Sequence, residues 1–241
     1  KYKNQDNYNR RVKIPLSFDV SLIKRMLRYS YPLLIIGLAG MVNEHSDKIL
    51  LKYLLPDSVD AMAQVGIYGA NYKLAVIMTL FIQMFRYAAE PFFFAEAKKK
   101  DAKLVYANVM KFFVIFCLLI FLVVMMYLDI VKYFIGADFR SGLNIVPIVL
   151  LANLFLGIFY NLSIWYKLNN LTLYGAYIAI FGALITIVLN VLLIPEIGYI
   201  GSAWATIACY FSMMVISYFW GKKVYPVKYD IKRIFLYTAL A

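Results

Sequence analysis

A chain of 241 residues that is 63% apolar and only 16% charged has more apolar side chain than one water-facing domain hides. Ordinary soluble domains hold roughly 45–50% apolar and about 25% charged residues. The formal net charge of +12 would suit a nucleic-acid partner in a soluble protein. Here the basic residues lie between long apolar blocks, which excludes nucleic acid and fits a membrane topology.

In chain order, the first 28 residues are polar and basic. They read as a cytoplasmic linker whose last part, residues 18–28, forms an amphipathic stretch on the membrane surface; a tail without fixed structure fits the same residues. A helix needs about 20 mostly apolar residues to cross a bilayer. Six such blocks follow, at about 29–55, 65–97, 104–128, 143–168, 171–194 and 197–220, and a seventh begins near Ile231. All are too long for membrane strands, so each is expected to be helical, with its backbone groups satisfied internally. The expected class is an all-α polytopic bundle over residues 29–241. Its terminal IFLYTALA enters a further apolar stretch, so a seventh span cut short and a chain truncated at both ends are expected.

Lys and Arg alternate between the connections. The N-terminal segment, residues 98–103, Lys167 and residues 222–233 together carry eighteen, against Lys52, Lys132 and Arg140 on the other side. The richer side is predicted to be cytoplasmic, which puts the N-terminus inside. The outer connections, at about 56–64, 129–142 and 195–196, are too short to fold separately. Tyr127, Tyr133, Phe134 and Phe139 fit an interfacial aromatic belt.

The search for catalytic chemistry is negative. His45 is the single histidine, Cys117 and Cys209 sit inside apolar runs, and no phosphate loop or metal spacing is present. The chain is read as no enzyme, with no catalytic residue, metal or cofactor.

Charge inside the spans is the positive signal. Glu44, Asp47 and Lys48 are three and four residues apart and share one face of the first span, which Gly37 and Gly40 continue. Intramembrane charges mark a transport or ion pathway by default. An outer-interface helix, or a structural Glu44–Lys48 pair, fits the same pattern. On the second span Tyr72, Thr79, Gln83, Arg86 and Glu90 form a stripe, with Arg86 and Glu90 as an i,i+4 pair before Pro91; Arg86 snorkelling to the headgroups is the plainer alternative. The two sets sit at different depths, and together would line one cavity. Lys98, Lys99 and Lys100 fit topology setting or an anionic lipid. Gly175, Ala179, Gly182, Thr186 and Asn190 read as a close-packing seam.

Four segments carry a family resemblance: NEHSDKILLKYLL, FRYAAEPFFFAEAKKKDAK, LNIVPIVLLANLFLGIFYNLSIWYKLNN and IPEIGYIGSAWATIACYFSMMVISY. In order and spacing they resemble bacterial polysaccharide-biosynthesis flippases of O-antigen type, within the MATE-like multidrug/oligosaccharidyl-lipid/polysaccharide exporter superfamily. The resemblance implies a two-lobed bundle around a central cavity, with this chain as the second lobe and the first lobe missing. It implies an undecaprenyl-pyrophosphate-linked oligosaccharide as substrate, coupling to protons, sodium or membrane potential, and a bacterial inner-membrane location. It also implies that the first helix of the lobe, carrying Glu44, Asp47 and Lys48, lines the cavity. A multidrug or cation antiporter of the same superfamily is the alternative, and a membrane glycan polymerase or ligase a third reading.

Overall fold

A computed structural model describes residues 19–56 and 60–240. Ten α-helices follow one another: α1 (Val20–Leu54), α2 (Ala61–Leu74), α3 (Val76–Glu96), α4 (Ala102–Met126), α5 (Leu128–Val131), α6 (Val146–Leu162), α7 (Ile164–Leu168), α8 (Thr172–Ile197), α9 (Tyr199–Val224) and α10 (Ile231–Leu240). Short 3-10 turns at Lys132–Phe134 and Ala137–Ile145 lead into α6. Asp19 caps α1 by accepting from the Ser21 and Leu22 amides, and Asp60 caps α2 through the Met62 and Ala63 amides, which supplies partners for N–H groups that a helix start leaves open.

Among the described residues four stretches are long and apolar enough to cross a membrane: α4, Ala137–Leu168, α8 and α9. The bent pair α2–α3 makes a fifth. α1 is more polar, yet it runs beside α8. Thr172 donates to the Tyr29 carbonyl and Thr186 to Asn43, two bonds that join residues with one constant offset. That constancy means parallel helices in fixed register, and the same offset brings their ends, Leu54 and Ile197, level. Residues 29–54 therefore lie alongside α8, and Val20 to Arg28 project as further turns of the same helix. The expected surface-lying stretch is, from residue 20 on, the start of α1; residues 1–18 of the basic linker lie outside the described residues.

The core is α6. Its inner residues Val149, Leu150, Ala152 and Leu154 are buried, and it packs on α9, α4, α3 and α2. The hairpin α8–α9 packs on the other side, and α10 lies against α4. Leu104, Phe112, Phe116, Leu119 and Val123 of α4 and Tyr177, Ile180, Leu184, Val188 and Leu192 of α8 stay exposed. Soluble monomers rarely expose contiguous apolar patches of this extent; here they are the lipid-facing surface of a multi-pass membrane protein.

The structure moves three expected boundaries. The second span is two helices meeting at Ala75 with a 53° bend, because α2 packs on the Ala137–Ile145 segment while α3 packs on α4 and α6. The 129–142 connection is not a plain loop but a series of helical turns. Pro195 and Glu196 stay inside α8, and the turn to α9 falls at Gly198. Its φ of 60° and ψ of −140° belong to a backbone region that only glycine enters without strain.

The proposed close-packing seam is present. A Cβ on Gly182 would stand 2.4 Å from the Met213 sulfur, and one on Gly175 would stand 2.7 Å from Ile36 and Tyr166. Two seam residues do more than pack: Thr186 bonds Asn43, and Asn190 accepts from Ser202 of α9. Cys117 and Cys209 are buried free thiols.

Candidate functional site

The charges of α1 are separated by environment. Asp47 is 1% exposed, Lys48 half-buried and Glu44 exposed. The Tyr68 hydroxyl donates to Asp47 Oδ2 at 2.6 Å, and the Lys48 amide donates to Oδ1 at 2.7 Å. Lys48 turns away and places its ammonium 4.8 Å from the Tyr72 ring centroid. Among the described residues Glu44 and Lys48 form no ion pair. The α1–α8 register places Asp47 level with Asn190, about 10 Å below the helix ends at 1.5 Å per residue. Asp47 thus lies well inside the length of α8, a helix long and apolar enough to cross a membrane. It belongs to a buried polar layer with Asn43, Thr186, Asn190, Ser202 and Thr206. Gly37 and Gly40 face open space.

The second set lies between α3 and α6. Arg86 stacks its guanidinium over Tyr160 at 4.8 Å and over Tyr87 at 5.6 Å. The expected Arg86–Glu90 pair does not form. The Glu90 carboxylate instead reaches across to Lys167 of α7. A helix-local pair on an exposed face is worth little, and Lys167, which sits beyond the break between α6 and α7, presents its ammonium directly to Glu90. At that break the Ser163 hydroxyl bonds the Tyr160 carbonyl at 2.6 Å. Arg86, Glu90, Tyr160, Asn161 and Ser163 line one small cavity. Gln83, one turn before Arg86 on the same face, is half-buried.

Tyr160, Lys167 and Tyr68 are the residues that sequence reasoning missed as site members. Lys167 was legible only as a loop charge. The available signal was the spacing Asn153, Tyr160, Lys167, which repeats every seven residues and so holds one face. The offset that pairs Arg86 with Tyr160 also sets Thr79 level with Asn153. Thr79 Oγ1 and Asn153 Nδ2 are both buried without a hydrogen-bond partner, a costly state for a polar group. Among the described residues Glu44 forms no ion pair with Arg86. Aromatic hydroxyls stand between them: Tyr160 lies within charge-interaction range of Glu44, Arg86 and Glu90, and Tyr72 within range of Glu44 and Asp47.

At the far side, an apolar cleft of about 490 Å³ between α4, α6, α9 and α10 is lined by Met110, Phe155, Phe211, Tyr218 and Tyr229; it carries none of these charges. Among the described residues no three His, Cys, Asp or Glu side chains converge as a metal ion would need.

A buried polar layer and a cationic seam lie inside an all-α, multi-pass bundle. No protein-family model and no curated protein matches the sequence. Two solved structures share the fold. One is a MOP superfamily transporter from Pyrococcus furiosus, in which a reversed polarity of the binding pocket suggests a different function. The other is a multidrug resistance transporter of the MATE family, also in the MOP superfamily, in an outward-facing conformation. Each aligns with a TM-score of 0.65 at 17% identity, over 88% of this chain and 48% of its own. The chain has the fold of half a MOP transporter and spans about half the length of the structures it matches.

Proposed function

We propose that this chain is one lobe of a flippase that moves a lipid-linked oligosaccharide, carried on undecaprenyl pyrophosphate, across the bacterial inner membrane by alternating access. The observation that carries this reading is the α3–α6 seam, where Arg86 rests on Tyr160 and, one turn on, Glu90 pairs with Lys167 of α7. Two cations and an aromatic ring along one seam suit a phosphorylated sugar better than a lipophilic cation. A first lobe of similar size completes the cavity, the residues before α1 belong to the cytoplasmic linker, and rocking of the lobes alternates access. Glu44, Asp47, Lys48, Gln83, Arg86 and Glu90 line the path, and a proton or sodium ion couples at the α1 carboxylates. The lipid tail stays in the bilayer, and the protein acts without a cofactor and without covalent chemistry.

A multidrug or cation antiporter is the second reading, favoured by the buried Asp47–Tyr68 pair and by the likeness to a multidrug transporter. Single replacement of Glu44, Lys48 or Arg86 in the full-length protein separates the two. Loss of surface glycan at normal protein levels supports the flippase. Intact glycan in all three variants, together with lost drug resistance, supports the antiporter.

A further inference from the structure

Glu90 and Lys167 are unequal partners. The Lys167 side chain is 16% exposed and that of Glu90 40%. The ammonium is therefore fixed in the wall between α3 and α7, and the carboxylate covers it from the open side. Arg86, one turn away, has no carboxylate within ion-pair distance among the described residues. Its guanidinium face rests on Tyr160, which leaves its N–H edge for an oxygen anion. Two levels deeper, the Thr79 hydroxyl and the Asn153 amide are unpartnered donors. The seam thus holds a cation with no carboxylate partner and two unpartnered polar groups, and its ion-paired carboxylate, Glu90, is the more exposed partner.

We propose that Glu90 is a displaceable counter-ion. In the empty bundle its carboxylate neutralises Lys167; a phosphate or pyrophosphate group takes its place and bridges Lys167 and Arg86. This rests on the reading above and narrows it to the phosphorylated end of the substrate. The exchange is favourable because a pyrophosphate brings more negative charge and more acceptor oxygens than one carboxylate. It also has a mechanical result. Glu90 directly precedes Pro91 of α3, and Lys167 lies just past the break at Ser163. Displacing Glu90 releases a tie between two helices at the points where each is already irregular.

The test is ligand binding by the full-length protein in nanodiscs, using farnesyl diphosphate, inorganic pyrophosphate and farnesol as probes, with wild type, Glu90→Gln, Lys167→Gln, Arg86→Gln and the Glu90→Gln/Lys167→Gln double variant. Glu90→Gln is expected to bind both diphosphates roughly tenfold tighter, the effect of removing a like charge from a partly desolvated site. Lys167→Gln and Arg86→Gln weaken both, the double variant falls back toward wild type, and farnesol is unaffected throughout. Farnesyl diphosphate binding far above pyrophosphate identifies a lipid headgroup site; equal binding identifies a site for free phosphates. Unchanged or weaker binding in Glu90→Gln, with Lys167→Gln and Arg86→Gln still weak, overturns the counter-ion while leaving the anion site standing. Equal binding of farnesol and diphosphate in every variant overturns both. If Glu90→Gln does not fold, Glu90→Asp, whose carboxylate is one methylene shorter, must tighten binding in the same direction, and no change there overturns the proposal.

Discussion

The Tyr68 hydroxyl donates a 2.6 Å hydrogen bond to Asp47 and so ties α2 to α1 through a carboxylate that water does not reach. Removing the donor leaves a buried acceptor short of a partner, at a cost of about 1–3 kcal/mol. Tyr68→Phe should therefore lower the thermal unfolding midpoint of the detergent-solubilised protein. Adding Asp47→Leu to Tyr68→Phe should recover part of the loss, because both polar groups are then gone. A midpoint for Tyr68→Phe equal to wild type would show that the bond contributes nothing.

Two glycines of the α8–α9 hairpin give a graded test of packing. A Cβ on Gly201 would lie 2.7 Å from the Leu193 carbonyl oxygen, whereas one on Gly182 would meet the flexible end of Met213. Backbone cannot step aside and a methionine can. Gly201→Ala should cost about 1–3 kcal/mol and Gly182→Ala less, with Met213→Ala restoring the Gly182 variant. Equal losses in the two single variants would contradict the assigned register of the hairpin.

Arg86 stacks on Tyr160, and a lysine there keeps the charge but not the planar stack. On the flippase reading, Arg86→Lys should retain part of the transport that Arg86→Gln loses, and Tyr160→Leu should resemble Arg86→Lys. Quantitative surface-glycan staining at matched protein levels reads this directly. Full activity in Arg86→Lys would reduce the role of Tyr160 to packing.

The Asp19 carboxyl is held below its usual value of 3.8 by hydrogen bonds from the Ser21 side chain and the Leu22 amide. A lowered folded-state pKa means that the cap stabilises the helix start above the unfolded value and is lost as pH falls through the lower folded one. Amide exchange in the first turn of α1 should accelerate below pH 3.8 in wild type. In Asp19→Asn, which keeps a capping oxygen, it should show no such step. An identical step in both proteins would assign it to another group.

The orientation predicted from basic loops is open to labelling. Single cysteines at Lys100 and Asp138, in a background without Cys117 and Cys209, should react with an impermeant maleimide from opposite sides of the membrane. Reaction of Lys100→Cys from the outside would invert the topology.

The span positions were readable from sequence because lipid imposes a length on every helix. The seam through Gly175 and Asn190 follows from composition and helical spacing alone. Partners across helices were not readable. Glu90 sits four residues from Arg86, the nearest opposite charge along the chain, yet pairs with Lys167, because α7, which continues the span of α6, runs beside α3. The bend at Ala75 was equally hidden: no proline or glycine marks it, and it comes from α2 and α3 packing against different neighbours. Asp47 and Glu44 carry the same charge three residues apart, and only the position of α2 decides that one is enclosed and the other open.

The parallel alignment of α1 and α8 has a mechanical consequence. Thr172, Gly175 and Thr186 touch α1 at successive heights, through Tyr29, Ile36 and Asn43. Sliding one helix past the other by a single residue, about 1.5 Å, would break all three contacts at once and drive Ile36 into a surface with no room for it. The pair therefore behaves as one stiff strut, and the bend at Ala75 between α2 and α3 is the joint of the bundle.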